Sequence, residues 1–513
     1  AGVSWRNPSS GEFVYNVEEQ PFSRDLDYYP SPYLEGLYEE VISQNSDINF
    51  QAIIETNRGC PFLCTFCYWG KGGLSRKYRY HGLERTFREL EWCSDHKIQY
   101  VYNADSNFGM HRRDLQIAEK LVELKTCHGF PEKFRTCYGK NTDEKIFQIG
   151  ALFHKHGIEK GITLSRQSLN ENTLKIIKRD NIKLEVYSNL QRNFNDLDVP
   201  VYCELILGLP GETFASWVVG IETLLETGIK NQIFVYLCQI YNNTELADPV
   251  YRVENGIISR NIEMEVIHAD VNRIDRVTEI EEIIVGTKSM PTEDWRRAAR
   301  FSWTVMLLHS MRIGFYLMGY LRDRFRLPYT DLIQCISDRE LTSVSPTMMD
   351  QMLDNADDLL TGILNCKGKA IYDPSYGEIY WEFEEMSFLH LSRDLDRFYN
   401  EFAELLQGYL EDRAVPYDEK ELREAVIYQK LRIPTCHEPK FTASDFEFNF
   451  PEYFEQRLSN SPVELRHDSQ RLWVEQANFN GNREQYAREV ILWGRKSGLI
   501  ERHASWQTLK KSK

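Results

Sequence analysis

Asn57-Arg58-Gly59-Cys60-Pro61-Phe62-Leu63-Cys64-Thr65-Phe66-Cys67 is a C-x3-C-x2-C run that follows a short apolar segment, Phe50 to Thr56. Three thiols this close on one loop read as a metal site. A structural zinc site takes four ligands, with a second cysteine pair or two histidines downstream. No second pair follows here. A ferredoxin-type iron–sulfur cluster also takes four thiolates, so three would leave one iron of a cubane without a protein ligand. That open iron is a place for a small molecule to bind. Free thiols or a zinc site are the alternatives.

Outward from the cysteines, the chain alternates apolar β-rich runs with amphipathic stretches, the pattern of β/α units around a parallel sheet. Strands are expected over 50–56, 99–105, 134–138, 160–165, 201–208 and 232–241, and helices near 83–96, 112–128, 142–156, 170–180, 183–195 and 214–228. The cysteine loop therefore follows the first strand of six β/α units.

The cysteine spacing, Phe66 just before the last cysteine, and the place of the loop after a first strand resemble the signature of the radical S-adenosylmethionine (SAM) superfamily. The resemblance implies an α/β fold, a partial (β/α)6 TIM-like barrel. It also implies a 4Fe-4S cluster on Cys60, Cys64 and Cys67, with SAM chelating the open iron and cleaved reductively to a 5′-deoxyadenosyl radical. In barrels of this kind the chemistry sits at the C-terminal strand ends. Further motifs stand there: Asn103 to Gly109 after the second strand, Tyr138-Gly139-Lys140-Asn141 after the third, and Ser165-Arg166-Gln167-Ser168 after the fourth, with Arg179 beyond it. The fifth strand ends in Gly208-Leu209-Pro210-Gly211-Glu212-Thr213. By the resemblance, Phe66, Asp105, Asn107, Gln167 and Arg179 hold SAM, and the turn with Gly208, Pro210 and Gly211 borders the adenine. An amide offers both donor and acceptor, and a guanidinium can grip a carboxylate bidentately. Read without the family, Asp105 and Asn107 could simply cap a turn, Arg179 could be a solvated helix-end residue, and the glycines could serve a tight turn.

Residues 1–49 read as an extended, Pro-punctuated lead-in with a short helix near Glu35 to Ser43, unable to build its own core. It resembles the linker that joins a cobalamin-binding domain to the radical SAM domain in cobalamin-dependent members. The D-x-H-x-x-G signature of such a domain is absent from these 513 residues. Cobalamin is thus expected, if used, from a separate domain or subunit, or from a missing part of a longer chain. The radical SAM barrel is expected over 50–289, and a mostly helical C-terminal substrate or cover domain over 290–513. Within the latter, Phe441 to Tyr453 reads as an irregular covering segment, and the stretches around Arg471-Leu472-Trp473 and from Glu489 to Ile500 read as closing helices.

A formal charge of −16 argues against a general nucleic-acid binder, which neutralises phosphates with clustered Lys and Arg. Eleven cysteines in 513 residues are too sparse for a disulfide scaffold, and those outside the loop stand singly, which fits a reducing cytoplasm and small buried residues. Phe301 to Tyr320 is the most apolar stretch, but His309 and Arg312 interrupt it; it reads as a buried helix rather than a membrane span. The basic segment Lys71 to His81 beside the cysteines could dock reduced flavodoxin or ferredoxin, or shield the cluster as a solvated face.

The leading expectation is a radical SAM enzyme, methyltransferase-like, acting on a small molecule such as a natural-product or surface-glycan precursor. The enzymatic alternative is cobalamin-free rearrangement, dehydrogenation or elimination. An iron–sulfur electron carrier or a zinc-stabilised binding protein is the alternative outside catalysis.

Overall fold

The computed structural model describes residues 4–15, 23–71, 76–139, 144–159, 161–272, 277–340, 346–437, 440–497 and 500–509. A hairpin, β1 (Ser4–Arg6) with β2 (Phe13–Tyr15), and a short helix α1 (Glu39–Gln44) form the lead-in. Strand β3 (Gln51–Ile54) runs into the cysteine loop. That loop is rooted by β4 (Asn57–Arg58) pairing antiparallel with β5 (Arg79–Tyr80).

Regular β/α alternation follows: α2 (Leu83–Asp95), β6 (Tyr100–Phe108), α3 (Arg112–His128), β7 (Lys133–Tyr138), α4 (Glu144–Lys155), β8 (Ile162–Thr163), α5 (Glu171–Ile176), α6 (Leu184–Asp196), β9 (Val201–Leu207), α7 (Phe214–Glu226) and β10 (Gln232–Leu237). The expected elements are all present, with β6 ending three residues later than expected and β8 reduced to two residues. Capping explains sharp helix starts: the Thr213 side chain accepts the Ser216 N–H ahead of α7, and Asn170 accepts that of Thr173 ahead of α5.

The strands form two parallel three-stranded sheets, β3-β6-β7 and β8-β9-β10. Between them the Phe134 N–H bonds the Ile158 carbonyl rather than continuing a ladder. Both outer edges are satisfied, as exposed edges would otherwise invite pairing. On β3, the Tyr33 hydroxyl donates to the Ile53 carbonyl (2.6 Å) and accepts the Ile53 N–H (3.0 Å). On β10, Ser310 Oγ accepts the Ile233 N–H and donates to the Ile233 carbonyl. Beyond β10 come α8 (Pro249–Glu254) and an antiparallel hairpin, β11 (Ile258–Glu263) with β12 (Ile280–Gly286). The hairpin continues that edge through bonds between Ile284 and Cys238 and between Ile240 and Glu282.

The C-terminal region is helical through α9 (Thr292–Val305), α10 (Phe315–Phe325), α11 (Tyr329–Ser337), α12 (Met348–Leu364), α13 (Phe383–Leu391), α14 (Leu395–Asp412) and α15 (Glu419–Arg432). The expected single helix over Phe301–Tyr320 is two. A π-helical turn, Met306–Ser310, ends the first, and Arg312 (φ +67°) and Gly314 redirect the chain into α10. All of it is buried or nearly so.

The end of the chain departs further from expectation. Phe441–Phe448 is a strand, β13, followed by helix α16 (Phe450–Gln456), not an irregular cover. Arg471-Leu472-Trp473 lies within β14 (His467–Glu475), not a helix. Gln470, Leu472 and Val474 are buried while their neighbours are more exposed, the period-two pattern of a half-buried strand. β14 pairs antiparallel with β13 and with β15 (His503–Thr508). Of the expected closing helix over Glu489–Ile500, residues 489–497 are helical, in a π-helical turn Arg488–Trp493 that follows α17 (Arg483–Ala487) and in α18 (Gly494–Ser497); residues 498–499 lie outside the described residues. One continuous apolar core runs from Ala52 of β3 to Ile500, so the C-terminal region packs directly on the β/α part.

Candidate active site

The cysteine loop is held from both sides. At its root, Asp105 of β6 is 1% exposed and accepts four bonds: the Thr56 N–H (2.6 Å) and hydroxyl (2.5 Å), and the Asn57 N–H (2.9 Å) and side-chain amide (2.7 Å). Burial pushes its carboxyl up to about 6 against those four donors. Next along β6, Ser106 Oγ donates to the Gly59 carbonyl (2.8 Å), and Asn107 Nδ2 donates to Cys60 Sγ (3.3 Å). Gly59 stands at φ +99°, which frees the loop to turn. On the far side the Thr65 N–H bonds the Ile177 carbonyl, and the Leu246 N–H bonds the Thr65 carbonyl.

Cys60 and Cys64 are buried and Cys67 is half-buried. Among the described residues no group of three or more His, Cys, Asp or Glu is arranged to hold a single metal ion. The remaining thiols do not all follow the expectation of burial: Cys93, Cys203, Cys238 and Cys335 are buried, but Cys127, Cys137 and Cys366 are exposed.

Arg179 is buried behind the loop. Its Nη2 donates to the Ser165 carbonyl (2.6 Å) and its Nε to Asn181 Oδ1 (2.9 Å), while burial works against its charge and the Cys64 thiol beside it favours that charge. Its Nη1 and the Oδ1 of Asn107 are buried without a hydrogen-bond partner among the described residues. Such atoms ordinarily find one.

Gln167 takes φ +63° and bridges β9, accepting the Ile206 N–H and donating its own N–H to the Glu204 carbonyl. The Gly208–Gly211 turn packs under α5: a Cβ on Gly211 (φ +91°) would meet Ile176 Cδ1 at 2.7 Å, and Pro210 is buried. A small core of Ile177, Leu209, Cys238, Ile240, Leu246 and Ile284, with Phe66 packed on it, joins this turn to the cysteine loop. The structure thus gathers Cys60, Cys64, Cys67, Asp105 and Asn107 around the loop and its root, with Arg179 behind it. Lys140 and Asn141 lie outside the described residues.

Phe66 and Gln167 open onto a cavity of about 690 Å³. Its walls include inward-facing strand residues, Arg135 of β7, Glu204 and Ile206 of β9, and Phe234 and Tyr236 of β10. The C-terminal region adds Trp303, Glu382, Phe383, Trp493 and Arg495. A wider groove of about 1300 Å³ runs between the cysteine loop, α5 and α7, lined by Leu63, Leu174, Lys175 and Val219. The smaller cavity is the better candidate, because strand-end residues converge in it. Its C-terminal wall was missed from the sequence. The one local signal was Trp381-Glu382-Phe383-Glu384-Glu385-Met386, acids embedded in an apolar helical run.

That wall is a charged network. Arg495 donates to Glu385 (2.8 Å), Glu384 (2.5 Å) and the Gln232 side chain (3.0 Å), and stacks over Phe234 at 4.6 Å. His268 Nε2 lies 2.8 Å from Glu385. Although burial opposes it, His268 and Arg495 hold the Glu385 carboxyl down at about 2. Lys369 is bound to Glu281 (2.7 Å).

The expected basic patch is mostly structural. Tyr80 meets His111, His81 meets Asp27, and Arg79 is in β5; Arg76 and Lys77 remain exposed. Among the described residues no helix is long and apolar enough to cross a membrane.

Residues 54–224 match the radical SAM superfamily, so the chain carries a radical SAM domain. It is 29% identical over 460 residues to a 2-(S-pantetheinyl)-carbapenam-3-carboxylate methyltransferase of Streptantibioticus cattleyicolor, covering 86% of this chain and 66% of the relative. It is 29% identical over 470 residues to the cobalamin-dependent radical SAM methyltransferase TokK of Streptomyces tokunonensis, covering 88% and 68%. The chain thus spans about two thirds of the length of these curated relatives. The radical SAM methyltransferase TsrM of Kitasatospora setae aligns at a TM-score of 0.38 with 11% identity, covering 62% of this chain and 63% of that one. The cobalamin-dependent enzyme OxsB aligns at 0.39 with 14% identity, covering 83% and 63%.

Proposed function

We propose that this radical SAM enzyme cleaves S-adenosylmethionine reductively at a 4Fe-4S cluster held by Cys60, Cys64 and Cys67, and methylates a small molecule in the barrel cavity. The observation that carries the reading is a three-thiol loop beside a cavity that opens on Phe66 and Gln167. The donor set fits the group: three thiols without a fourth protein ligand suit a cubane with one iron left for SAM, and the unpartnered Asn107 Oδ1 and Arg179 Nη1 stand next to Cys60 and behind Cys64. When bound, the cluster supplies the electron that breaks the sulfonium of SAM.

The chain's own residues prepare that site. Asp105 holds the root of the loop through Thr56 and Asn57, and Asn107 stabilises thiolate charge on Cys60 by donating to it. The Arg179 guanidinium does the same for Cys64 by proximity, in a setting dry enough to strengthen both effects. Phe66, Gln167 and the Gly208-Leu209-Pro210-Gly211 turn would form the wall against SAM.

In this reading β3, β6, β7, β8, β9 and β10 are the six strands of a partial barrel over 50–289, and 290–513 covers its mouth. The relatives' names support methyl transfer with cobalamin, supplied from outside the described residues. A reduced flavodoxin or ferredoxin would approach the loop, where Arg76 and Lys77 stand with exposed Tyr68 and Trp69. Oxygen-labile chemistry and single, unbridged thiols fit a reducing cytoplasm.

The test is 5′-deoxyadenosine release by the anaerobically reconstituted protein given SAM and a strong reductant, beside Cys60→Ala, with and without cobalamin. Release that is lost in the variant is expected. Zinc in place of iron and sulfide, or release that survives the substitution, would overturn the reading. Methylated product that depends on cobalamin separates methyl transfer from rearrangement, dehydrogenation or elimination.

A further inference from the structure

The cavity wall is densely charged. Four carboxylates line it, Glu204, Glu382, Glu384 and Glu385, against the fixed cations Arg135, Lys369 and Arg495. Arg495 is shared by Glu384 and Glu385, with His268 also on Glu385. Lys369 is taken by Glu281. Glu204 accepts the Ser165 hydroxyl at 2.7 Å. Glu382 forms no ion pair among the described residues; it stands at the N-cap of α13, where a capping box links its side chain and that of Glu385 to each other's backbone, and the cavity it lines is also lined by Trp303, Phe383, Trp493 and Tyr236.

We infer that the substrate of this site carries a protonated amine, and that Glu382 is the specificity-determining residue that receives it. The inference rests on the radical SAM reading of the same cavity. A carboxyl in a cavity that aromatic rings also line is a site for an organic cation: the acid supplies a charge-assisted hydrogen bond and the rings are available for quadrupole attraction. A cavity of about 690 Å³ is of the size that encloses a drug-sized ligand. In the empty cavity, burial and the charges of Glu384 and Glu385 push the Glu382 carboxyl up to about 8, with Lys369 and Arg495 opposing. Tyr236 and His268 also face this cavity. An arriving ammonium favours the ionised form, so binding at neutral pH releases a proton and strengthens as pH rises toward about 8.

The test is calorimetric binding of 2-phenylethylamine to the full chain without reductant, so that it does not depend on radical chemistry. The 5′-deoxyadenosine assay reports separately on the radical SAM reading. The amine is expected to bind at millimolar concentration, with proton release seen as a dependence of the heat on buffer ionisation. The isosteric 3-phenylpropanoate is expected to bind at least about tenfold more weakly. Glu382→Gln should lose that preference and the proton release, and Glu382→Asp should keep the preference. Equal binding of the two probes, no binding of the amine, or amine binding without proton release would overturn the inference. If S-adenosylhomocysteine abolishes amine binding, Glu382 serves the cofactor's own ammonium and the substrate assignment fails. Should neither variant fold, the wild-type proton release and probe preference decide alone.

Discussion

Asp105 grips Asn57 twice, through its backbone N–H at 2.9 Å and its side-chain amide at 2.7 Å, across 48 residues of sequence. Strand β6 thereby fixes the start of the cysteine loop, and its next two residues, Ser106 and Asn107, touch the loop at Gly59 and Cys60. The cysteine loop and the register of β6 are in this way one structural unit.

Replacing Asp105 should therefore damage folding and cluster retention together. Asp105→Ala strands buried donors on Thr56 and Asn57 and is expected to cost about 3 kcal/mol, with loss of iron on reconstitution. Asp105→Asn gives a pH test. The folded-state carboxyl is raised to about 6 from 3.8, so its contribution to stability is fully present below the unfolded value and is lost as pH rises through the folded one. The wild-type advantage over Asp105→Asn in thermal unfolding should shrink from about pH 4 to about pH 6 and stay flat above. An advantage that grows over that range would show that burial does not dominate this carboxyl.

Asn107 should tune the cluster rather than build it. Its amide donates to Cys60 Sγ, and hydrogen bonds to ligand sulfur stabilise the reduced, more negative state. Asn107→Ala is expected to reconstitute with iron and sulfide but to show a reduction potential lower by tens of millivolts in an EPR-monitored titration. An unchanged potential would leave Asn107 a packing residue only.

The β/α half was legible because each of its elements carries a local signal. Apolar runs such as Val201–Leu207 read as buried parallel strands without any tertiary information. The cavity was not legible, because Arg135, Glu204, Tyr236, Trp303, Glu382 and Arg495 meet only through the packing of the C-terminal region on the strands. At the chain's end, the stretch around Arg471-Leu472-Trp473 reads as a closing helix, while the burial of Gln470, Leu472 and Val474 follows a strand's period. A three-residue cue cannot separate the two periods.

The Gly208–Gly211 turn offers a conformational test. Both glycines have φ in the left-handed region, at +104° and +91°. A Cβ at Gly211 would also come within 2.7 Å of Ile176 Cδ1 and 3.2 Å of Thr173 Cα. Gly211→Ala should destabilise by about 1–3 kcal/mol and shift α5, which holds the loop through Ile177 and Thr65. SAM binding measured by equilibrium dialysis should weaken with it. Unaltered binding in a destabilised protein would separate this turn from the cofactor site.

Arg495 is the cation on which the C-terminal wall depends. It is 4% exposed and shared by two carboxylates that are themselves buried, so removing it leaves two charges without their main counter-ion. Such a deletion typically costs about 3–5 kcal/mol, because the remaining charges lose compensation but not burial. Arg495→Gln should destabilise by that order, and the loss should depend on pH in a known sense. Glu385 is held at about 2, below its ordinary 4.5, so its contribution to stability is present above 4.5 and is lost as pH falls toward 2. Most of that contribution comes from Arg495 and His268, and the variant keeps only the second. The gap in unfolding temperature between wild type and Arg495→Gln should therefore be widest near neutral pH and narrow in acid, where the variant's carboxyls protonate without penalty. A gap that stays constant across the range would mean that Arg495 stabilises this wall by stacking on Phe234, at 4.6 Å, and not by charge.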